Sequence, residues 1–252
     1  MSAIRVEGLA KRFGDLLVLD NLSFEVKDGE ILCIVGPSGC GKSTILRAIV
    51  GLDPDYEGKI YIDGELISGY NPKIGFVFQE HALFMWRTVI RNVEFGLEVK
   101  GVDKKRRKEI SMDAIKLVGL EGFENCYPYE LSGGMKQRAS LARVLVNDPE
   151  VLLMDEPFAA VDAQTRNILQ EELINLWQRT QKTIIFVTHS IDEATYLGSR
   201  IIVLEARPSK VRKIFDNPVP RPRDRTSIPC VELRREVLSV LKEVRGEVDQ
   251  HS

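Results

Sequence analysis

The 252-residue chain has little of what marks secreted, metal-bound or membrane-embedded proteins. Its four cysteines form no C-x-x-C pair and have no histidine at metal-ligand spacing, which disfavours a disulfide framework or a cysteine-based metal site. No apolar run approaches the roughly 18 residues that cross a bilayer, and the first residues lack the apolar core of a signal peptide. We therefore expect a soluble intracellular chain with free thiols.

The chain also lacks an excess of charge of either sign. Its 35 basic and 37 acidic residues give a net charge of -2, so there is no general attraction to nucleic acid, and we expect no nucleic-acid partner. The run from Lys104 to Lys108 opens a predicted helix without interleaved aromatic residues, a pattern typical of a solvated face.

The apolar pattern predicts an α/β protein that begins with antiparallel strands. Ile31–Val35 is apolar at every position, as in a strand buried on both faces, and it leads into a glycine-rich loop and a helix. A hairpin is predicted about Asp63 and Gly64, followed by a strand ending at Gln79. The pattern is helical from about residue 88 to 147, and strand signals return at Val151–Asp155 and at Thr183.

Helical spacing predicts the inward faces of the two longer helices before the last strands. The first predicted face comprises Ile110, Ala114, Leu117 and Val118, and the second comprises Thr165, Ile168, Leu169, Leu173, Leu176 and Trp177. The segment 221–252 predicts a proline-broken connector followed by an amphipathic helix.

The loop after the first buried strand fits the phosphate-binding pattern G-x-x-x-x-G-K-[ST]. The predicted nucleotide-binding residues are Gly36, Pro37, Ser38, Gly39, Cys40, Gly41, Lys42, Ser43 and Thr44. Glycines let backbone N–H groups turn towards phosphate, Lys42 reaches the β and γ oxygens, and Ser43 can supply a hydroxyl to Mg²⁺. ATP and Mg²⁺ are the expected cofactors. Thiol alkylation of Cys40 is expected to block hydrolysis.

Two acids at the end of the strand Val151–Asp155 indicate hydrolysis. Asp155 lies where a carboxylate completes the Mg²⁺ shell, and Glu156 can orient and deprotonate a water in line with the γ-phosphate. A second anion-binding pattern, L-S-G-G-M-K-Q-R, places Ser132, Gly133 and Gly134 at the start of a helix.

Together with Thr188 and His189, these motifs resemble the ATP-binding subunits of ABC transporters over roughly residues 4 to 220. The resemblance implies a P-loop NTPase core with an antiparallel β subdomain and a helical subdomain at about 80–147. It implies an ABC ATPase domain over 1–220, placed at the cytoplasmic face of the membrane as a peripheral subunit.

The resemblance also implies a head-to-tail dimer, in which Ser132, Gly133 and Gly134 contact the nucleotide held by a second copy. Gln79 is then the residue that senses Mg²⁺ and the attacking water, and His189 is the γ-phosphate switch. Phe13 takes the place of the aromatic residue that stacks on adenine, and Asp162 communicates across the dimer.

Other segments resemble importers of nitrate, sulfonate or taurine, namely W-R-T-V at 86–89, Pro157 to Arg166, and Pro220 to Asp224. An apolar cluster of Leu83, Phe84, Met85, Trp86 and Val89 is typical of a partner-binding surface, which in this family receives a membrane permease. A solute-binding protein would be an indirect partner. The chain departs from the family at Met135 and at Ala159, Ala160 and Val161.

Three other hypotheses remain open at this point. A soluble phosphotransferase would share the phosphate loop, but Glu156, His189 and the second loop disfavour it. A non-transport ABC protein would usually carry two ATPase domains or a coiled-coil insertion, and no heptad run lies between Lys42 and Asp155. A catalytically inactive binding module is disfavoured because both acids, Asp155 and Glu156, are present.

Overall fold

A computed structural model describes residues 2–80, 82–159, 161–206 and 208–249. Ala160, one of the residues that depart from the family pattern, lies outside them. Contacts divide the chain into two compact units. The first comprises the chain up to Asn71, Leu153–Asp155 and everything from Lys182 onward, and the second comprises Pro72–Leu152 and Glu156–Gln181.

Strands and helices come mostly in runs before Val151 and alternate one by one from there to Leu204. In chain order they are β1 (Ser2–Phe13), β2 (Leu16–Lys27), β3 (Ile31–Val35), α1 (Lys42–Val50), β4 (Glu57–Ile62), β5 (Glu65–Leu66), β6 (Ile74–Val77), α2 (Val89–Val93), α3 (Phe95–Val99), α4 (Lys104–Leu117), α5 (Gly133–Leu145), β7 (Val151–Asp155), α6 (Ala163–Thr180), β8 (Thr183–Val187), α7 (Ile191–Leu197), β9 (Arg200–Leu204), β10 (Val211–Asp216) and α8 (Ile228–Asp249).

The first unit contains an antiparallel sheet in the order β2-β1-β4-β5. β1 pairs with β2 and with β4, and β4 turns into β5 through Asp63 and Gly64, both with positive φ. Alternate residues of the long strands are buried, as in a sheet with one packed face and one solvated face. The antiparallel start and the hairpin are therefore confirmed.

The phosphate loop follows β3, which belongs to a second sheet. β3 lies between β8 and β9 and is parallel to both, while β10 closes that edge antiparallel to β9. Every residue of β3 and β8 is buried, which explains the unbroken apolar sequence of β3 and the apolar run that follows Thr183 in β8. β7 follows β8 in the sheet, so its last residue, Asp155, ends a buried strand of this unit.

The second unit packs four helices about their own apolar core. The buried residues come from α2 to α5 and their connections: Val89, Val93, Leu97, Ala114, Ile115, Val118, Leu120, Leu131, Ala139, Ala142 and Val146. β6 lies beside the start of β7, and α6 completes the unit. The helical pattern predicted for about 88–147 is thus confirmed, whereas the domain boundaries at 80, 147 and 220 stay predictions.

Several predicted details are wrong. β6 ends at Val77, so Gln79 follows the strand instead of ending it. Leu117 and Ile168 are exposed, and their places on the inner faces are taken by the neighbouring Ile115 and Gln170. The remaining buried positions were predicted correctly, namely Ala114, Val118, Leu169, Leu173 and Leu176. Among the described residues, no helix combines the length and apolar character that a bilayer crossing requires.

Candidate functional site

The phosphate loop folds around the side chain of Lys42. α1 begins at Lys42, and its preceding residue Gly41 has φ +101°. The Lys42 ammonium donates hydrogen bonds to the carbonyl oxygens of Gly36, at 3.1 Å, and Pro37, at 3.0 Å. A buried ammonium at the N-terminus of a helix is an arrangement suited to an anion such as a nucleotide phosphate.

Two glycines of this loop are required by space as well as by backbone angle. A Cβ on Gly41 would lie 2.7 Å from Leu19 and 2.9 Å from Val18, and its φ is left-handed. A Cβ on Gly36 would lie 2.9 Å from the Cys40 sulfur. Because neither position tolerates a side chain, the loop can hold its tight course beside the antiparallel sheet.

Ser43 and Asp155 meet at the end of β7. The Ser43 hydroxyl donates to Asp155 Oδ1 at 2.9 Å, and Asp155 is buried. The structure thus brings together the two residues that the sequence assigns to Mg²⁺, although they are 112 positions apart. A serine hydroxyl and a carboxylate are hard oxygen donors of the kind Mg²⁺ prefers, so the residues fit the metal.

The thiol of Cys40 is buried within the loop. Its side chain is 1% exposed, and its backbone N–H donates to the Pro37 carbonyl at 3.3 Å. Burial raises the pKa of the Cys40 thiol above its ordinary value, which lowers the fraction of reactive thiolate. Burial disfavours alkylation of Cys40 in the folded chain, and the expectation that its alkylation blocks hydrolysis stays a prediction.

His189 lies two residues beyond β8, on the surface of the first unit. Its neighbours are fixed. The Thr188 backbone N–H donates to the Ile34 carbonyl of β3 at 3.2 Å, and the Ser190 N–H donates to the Thr188 hydroxyl at 3.0 Å. The Ser190 hydroxyl caps α7 by accepting from Glu193 N–H at 3.4 Å. A histidine in such a turn presents an imidazole from a rigid frame.

Phe13, at the end of β1, is 52% exposed and lies beside a buried lysine. Lys11 Nζ is 5.2 Å from the centre of the Phe13 ring and 2.6 Å from Asp53 Oδ1. Burial acts to lower the pKa of Lys11, but the hydrogen bonds and charges of Asp53 and Asp55 together outweigh it, so the pKa is raised and the cation is held. An exposed ring on a fixed cation is suited to stacking on a flat ligand.

Glu156 belongs to the second unit and has an unusual backbone. Its φ is +45°, in the left-handed region that residues other than glycine rarely adopt. Residues held in such regions carry strain of order 1–3 kcal/mol and occur preferentially at functional sites. Glu156 accepts a backbone hydrogen bond from Ala159 N–H at 3.1 Å, which closes a turn directly after Asp155.

The second glycine loop caps α5 as its sequence indicates. The Ser132 hydroxyl accepts a hydrogen bond from Met135 N–H at 3.3 Å, and Ser132 and Gly133 are exposed at the helix N-terminus. Gly134 is buried, and a Cβ there would lie 2.6 Å from Thr165. α5 has thirteen residues and begins at Gly133. The positive end of its dipole therefore lies at the exposed residues Ser132 and Gly133.

Gln79 and Asp162 are the remaining predicted site residues of the second unit, and both are exposed. Asp162 is the N-cap of α6 and accepts from Thr165 N–H at 3.0 Å. This backbone hydrogen bond lowers the pKa of Asp162, so the carboxylate stays ionised at neutral pH. Gln79 lies two residues beyond β6.

The sequence did not indicate that the loop Phe84 to Thr88, which precedes α2, is fixed by hydrogen bonds to Asn92. Asn92 is completely buried, accepts from Phe84 N–H at 2.8 Å, and donates to the carbonyl oxygens of Phe84, Arg87 and Thr88. Trp86 is 74% exposed, with its ring 5.5 Å from that of Phe84. Val89, which the sequence assigned to the surface cluster, is in the core. The available signal was a lone amide within the apolar run of α2.

Comparison with known proteins agrees with the motifs. The sequence family described as ABC transporter matches residues 19–159. The chain is 54% identical to an uncharacterized ABC transporter ATP-binding protein of Methanocaldococcus jannaschii, over 95% of this chain and 91% of that protein. It is 47% identical, over 99% of both chains, to the aliphatic sulfonates import ATP-binding protein SsuB of Bacillus cereus.

Solved structures give the same result. A dimeric, post-hydrolysis structure of the ATP-binding cassette MJ0796, bound to ADP and Pi, matches with a TM-score of 0.77 at 33% identity, over 86% of this chain and all of that one. The fold is therefore that of an ABC ATPase cassette. The chain belongs to the ABC transporter family, as one of its ATP-binding subunits.

Proposed function

We propose that this chain hydrolyses ATP to ADP and phosphate and thereby powers an ABC importer for a sulfonate or a related small oxyanion such as nitrate. The observation that carries the proposal is the pairing of Ser43 with Asp155 beside the Lys42 loop, directly followed by the strained Glu156. The relatives named for aliphatic sulfonate import support the solute class, since they match nearly the whole chain.

In this proposal the first unit binds the nucleotide. Lys42 gives up its two carbonyl contacts to reach the β and γ oxygens, while backbone N–H groups of the loop after Pro37 surround the phosphates. Ser43 and Asp155 would hold Mg²⁺, which when bound neutralises phosphate charge that develops during transfer. Phe13 stacks on the adenine.

Glu156 acts as the general base in this proposal. It orients a water towards the γ-phosphorus and accepts its proton as the bond to the β-γ bridging oxygen breaks. His189 contacts the γ-phosphate and holds the attacking geometry, while Gln79 orients the same water. Correct positioning of the water and the γ-phosphate supplies most of the rate enhancement in such reactions. Glu156, His189 and Gln79 each lie just beyond the end of a strand, where the backbone fixes their place.

A second copy of the chain completes each centre in the proposed dimer. Ser132, Gly133 and Gly134, at the start of α5, contact the γ-phosphate held by the other copy, and Asp162 lies at the same interface. The dimeric cassettes among the matched structures support this arrangement. Two-fold symmetry then places two ATP molecules between identical surfaces.

Integral permease subunits are the proposed membrane partners, which places this subunit at the cytoplasmic face of the membrane. The exposed indole of Trp86 and side chain of Met85, held outward by Asn92, form a rigid apolar surface suited to an amphipathic helix. A solute-binding protein would deliver the solute to the permease and would not touch this chain.

The substitution Glu156→Gln tests the hydrolytic assignment. Removal of the general base should lower turnover by about 10² to 10⁴-fold while ATP binding persists, so that a stable dimer accumulates in ATP but not in ADP. Light scattering after size exclusion reports the mass. Glu171→Gln, an exposed acid on α6, is the matched control and should behave as wild type. Undiminished turnover in the Glu156 variant would refute the assignment.

A further inference from the structure

The C-terminal end of α7 is held by a buried cluster of side chains from the connector after β10. Arg223 is 8% exposed, and its guanidinium donates to the carbonyl oxygens of Thr195 at 3.3 Å, Tyr196 at 2.8 Å and Gly198 at 2.8 Å. The same guanidinium binds its own segment through Val219 O at 2.9 Å. One side chain therefore ties the connector to the last turn of the helix.

Two further connector residues complete this cap. Asn217 donates to Thr195 O at 2.8 Å and Gly198 O at 3.0 Å, and Arg221 donates to Leu197 O. The last carbonyl groups of a helix have no partner within it, and positive charge is favourable at that end. All four carbonyl oxygens from residue 195 to 198 thus receive donors from residues 217–223.

The opposite end of α7 is built into the loop that carries His189. Ser190 is its N-cap, and the carboxylate of Glu193 in its first turn accepts a hydrogen bond from the Thr188 hydroxyl. His189 lies between Thr188 and Ser190, and both of these residues form hydrogen bonds to Glu193 of α7. Since α7 has only seven residues, about 10 Å in length, a shift at one end reaches the other.

The C-terminal helix α8 adds to the same support. Arg234 Nε lies 3.0 Å from Asp192 Oδ1, and the guanidinium of Arg225 lies 3.6 Å from the centre of the Tyr196 ring. Both contacts are to α7. The connector and α8 therefore contact α7 along its length and not only at its end.

We propose that Arg223, assisted by Asn217 and Arg221, is a positioning residue for His189, which it acts on through α7. The inference rests on the proposed function, in which His189 contacts the γ-phosphate. It gives the segment beyond the ATPase motifs a task in the chemical step. Arg223 does not touch the nucleotide, so its loss should change kcat and leave nucleotide binding almost unaltered.

Steady-state kinetics of Arg223→Met, Arg223→Lys and Arg235→Gln give the first test. Methionine fills the space without a donor, and a misplacement of about 1 Å can cost 10²-fold, so kcat should fall about tenfold to 10²-fold with KM for ATP within about twofold. Lysine keeps the charge and three donors and should recover part of kcat. Arg235→Gln removes an exposed charge on α8 and should match wild type.

A double-mutant cycle with His189→Ala separates positioning from general damage. If Arg223 acts through His189, the double variant should turn over no more slowly than His189→Ala alone. A double variant whose loss of kcat equals the product of the two single-variant losses would overturn the inference. An unchanged kcat in Arg223→Met or in His189→Ala would overturn it as well. Should Arg223→Met fail to fold, Asn217→Asp takes its place in the cycle, because it removes the second donor to the same carbonyl groups.

The outcomes also separate this inference from the proposed function. A wild-type chain without ATPase activity would contradict the proposed function itself. Wild-type activity that falls in His189→Ala, together with an Arg223→Met variant as fast as Arg235→Gln, would overturn only the positioning role.

Discussion

At the scale of single residues, the phosphate loop contains two buried side chains with different surroundings. Lys42 is buried yet aimed at loop carbonyl oxygens that a triphosphate can replace, whereas Cys40, two residues earlier, is packed against Gly36. The sequence marks both as members of one motif and cannot separate them, because the direction of a side chain depends on the turn around it. The structure packs Cys40 inside the loop, and Lys42 stays a proposed ligand of the phosphates.

Thiol labelling should reflect this difference. We expect iodoacetamide to modify Cys126, which is partly exposed, well before Cys40, which is buried and has a raised pKa. Because the thiolate is the reacting form, labelling of Cys40 should accelerate as pH rises through that raised pKa. Peptide mass spectrometry of timed samples measures each site. Equal rates for the two cysteines in the folded protein would contradict the packing of Cys40.

At the scale of elements, the sequence predicted correctly the helices, strands and turns that are determined by a few adjacent residues. The hairpin at Asp63 and Gly64 follows from turn chemistry, and the buried strands β3 and β8 follow from unbroken apolar runs. The capped start of α5 at Ser132 likewise follows from its sequence. These features depend on a few adjacent residues, so no tertiary information was needed.

Features set by distant contacts were missed. Leu117 and Ile168 fit a helical stripe, but the stripe that is buried depends on the neighbouring elements, and Val89 is drawn into the helical core. Arg223 lies in the proline-broken connector, for which the sequence predicted no contacts. Its partners, the carbonyl groups that end α7, can be identified only from the folded chain.

The loop before α2 provides a prediction at this scale. Asn92→Asp replaces an amide that donates to three carbonyl oxygens with a carboxylate that repels them. Since an unsatisfied buried polar group costs about 1–3 kcal/mol, the free energy of unfolding should fall by about 2 kcal/mol or more. Urea unfolding measures it. Asn167→Asp, exposed on α6, should change the value by less than about 0.5 kcal/mol. Equal values for both variants would contradict the role of Asn92.

At the scale of the whole molecule, the predicted site residues are divided between the two compact units. The phosphate loop, Asp155 and Phe13 belong to one unit, and the Ser132 loop and Asp162 belong to the other. The sequence shows both anion-binding loops but not which nucleotide the second serves. The family relationship and the dimeric cassettes it includes support a partner copy as the answer.

The central claim is that one complete ATPase centre uses the phosphate loop of one copy and the Ser132 loop of another. Lys42→Ala and Ser132→Arg each remove one half, so dimers of either variant alone contain no complete centre. In a mixed dimer, one of the two centres combines an intact phosphate loop with an intact Ser132 loop. Mixing therefore restores what neither variant has alone.

The most direct measurement is the ATPase rate of an equal mixture of these two variants. Random pairing puts half of the dimers in the mixed form, so the mixture should regain up to about a quarter of the wild-type rate. Each variant alone should remain near background. A mixture no faster than the sum of its separate components would contradict the account.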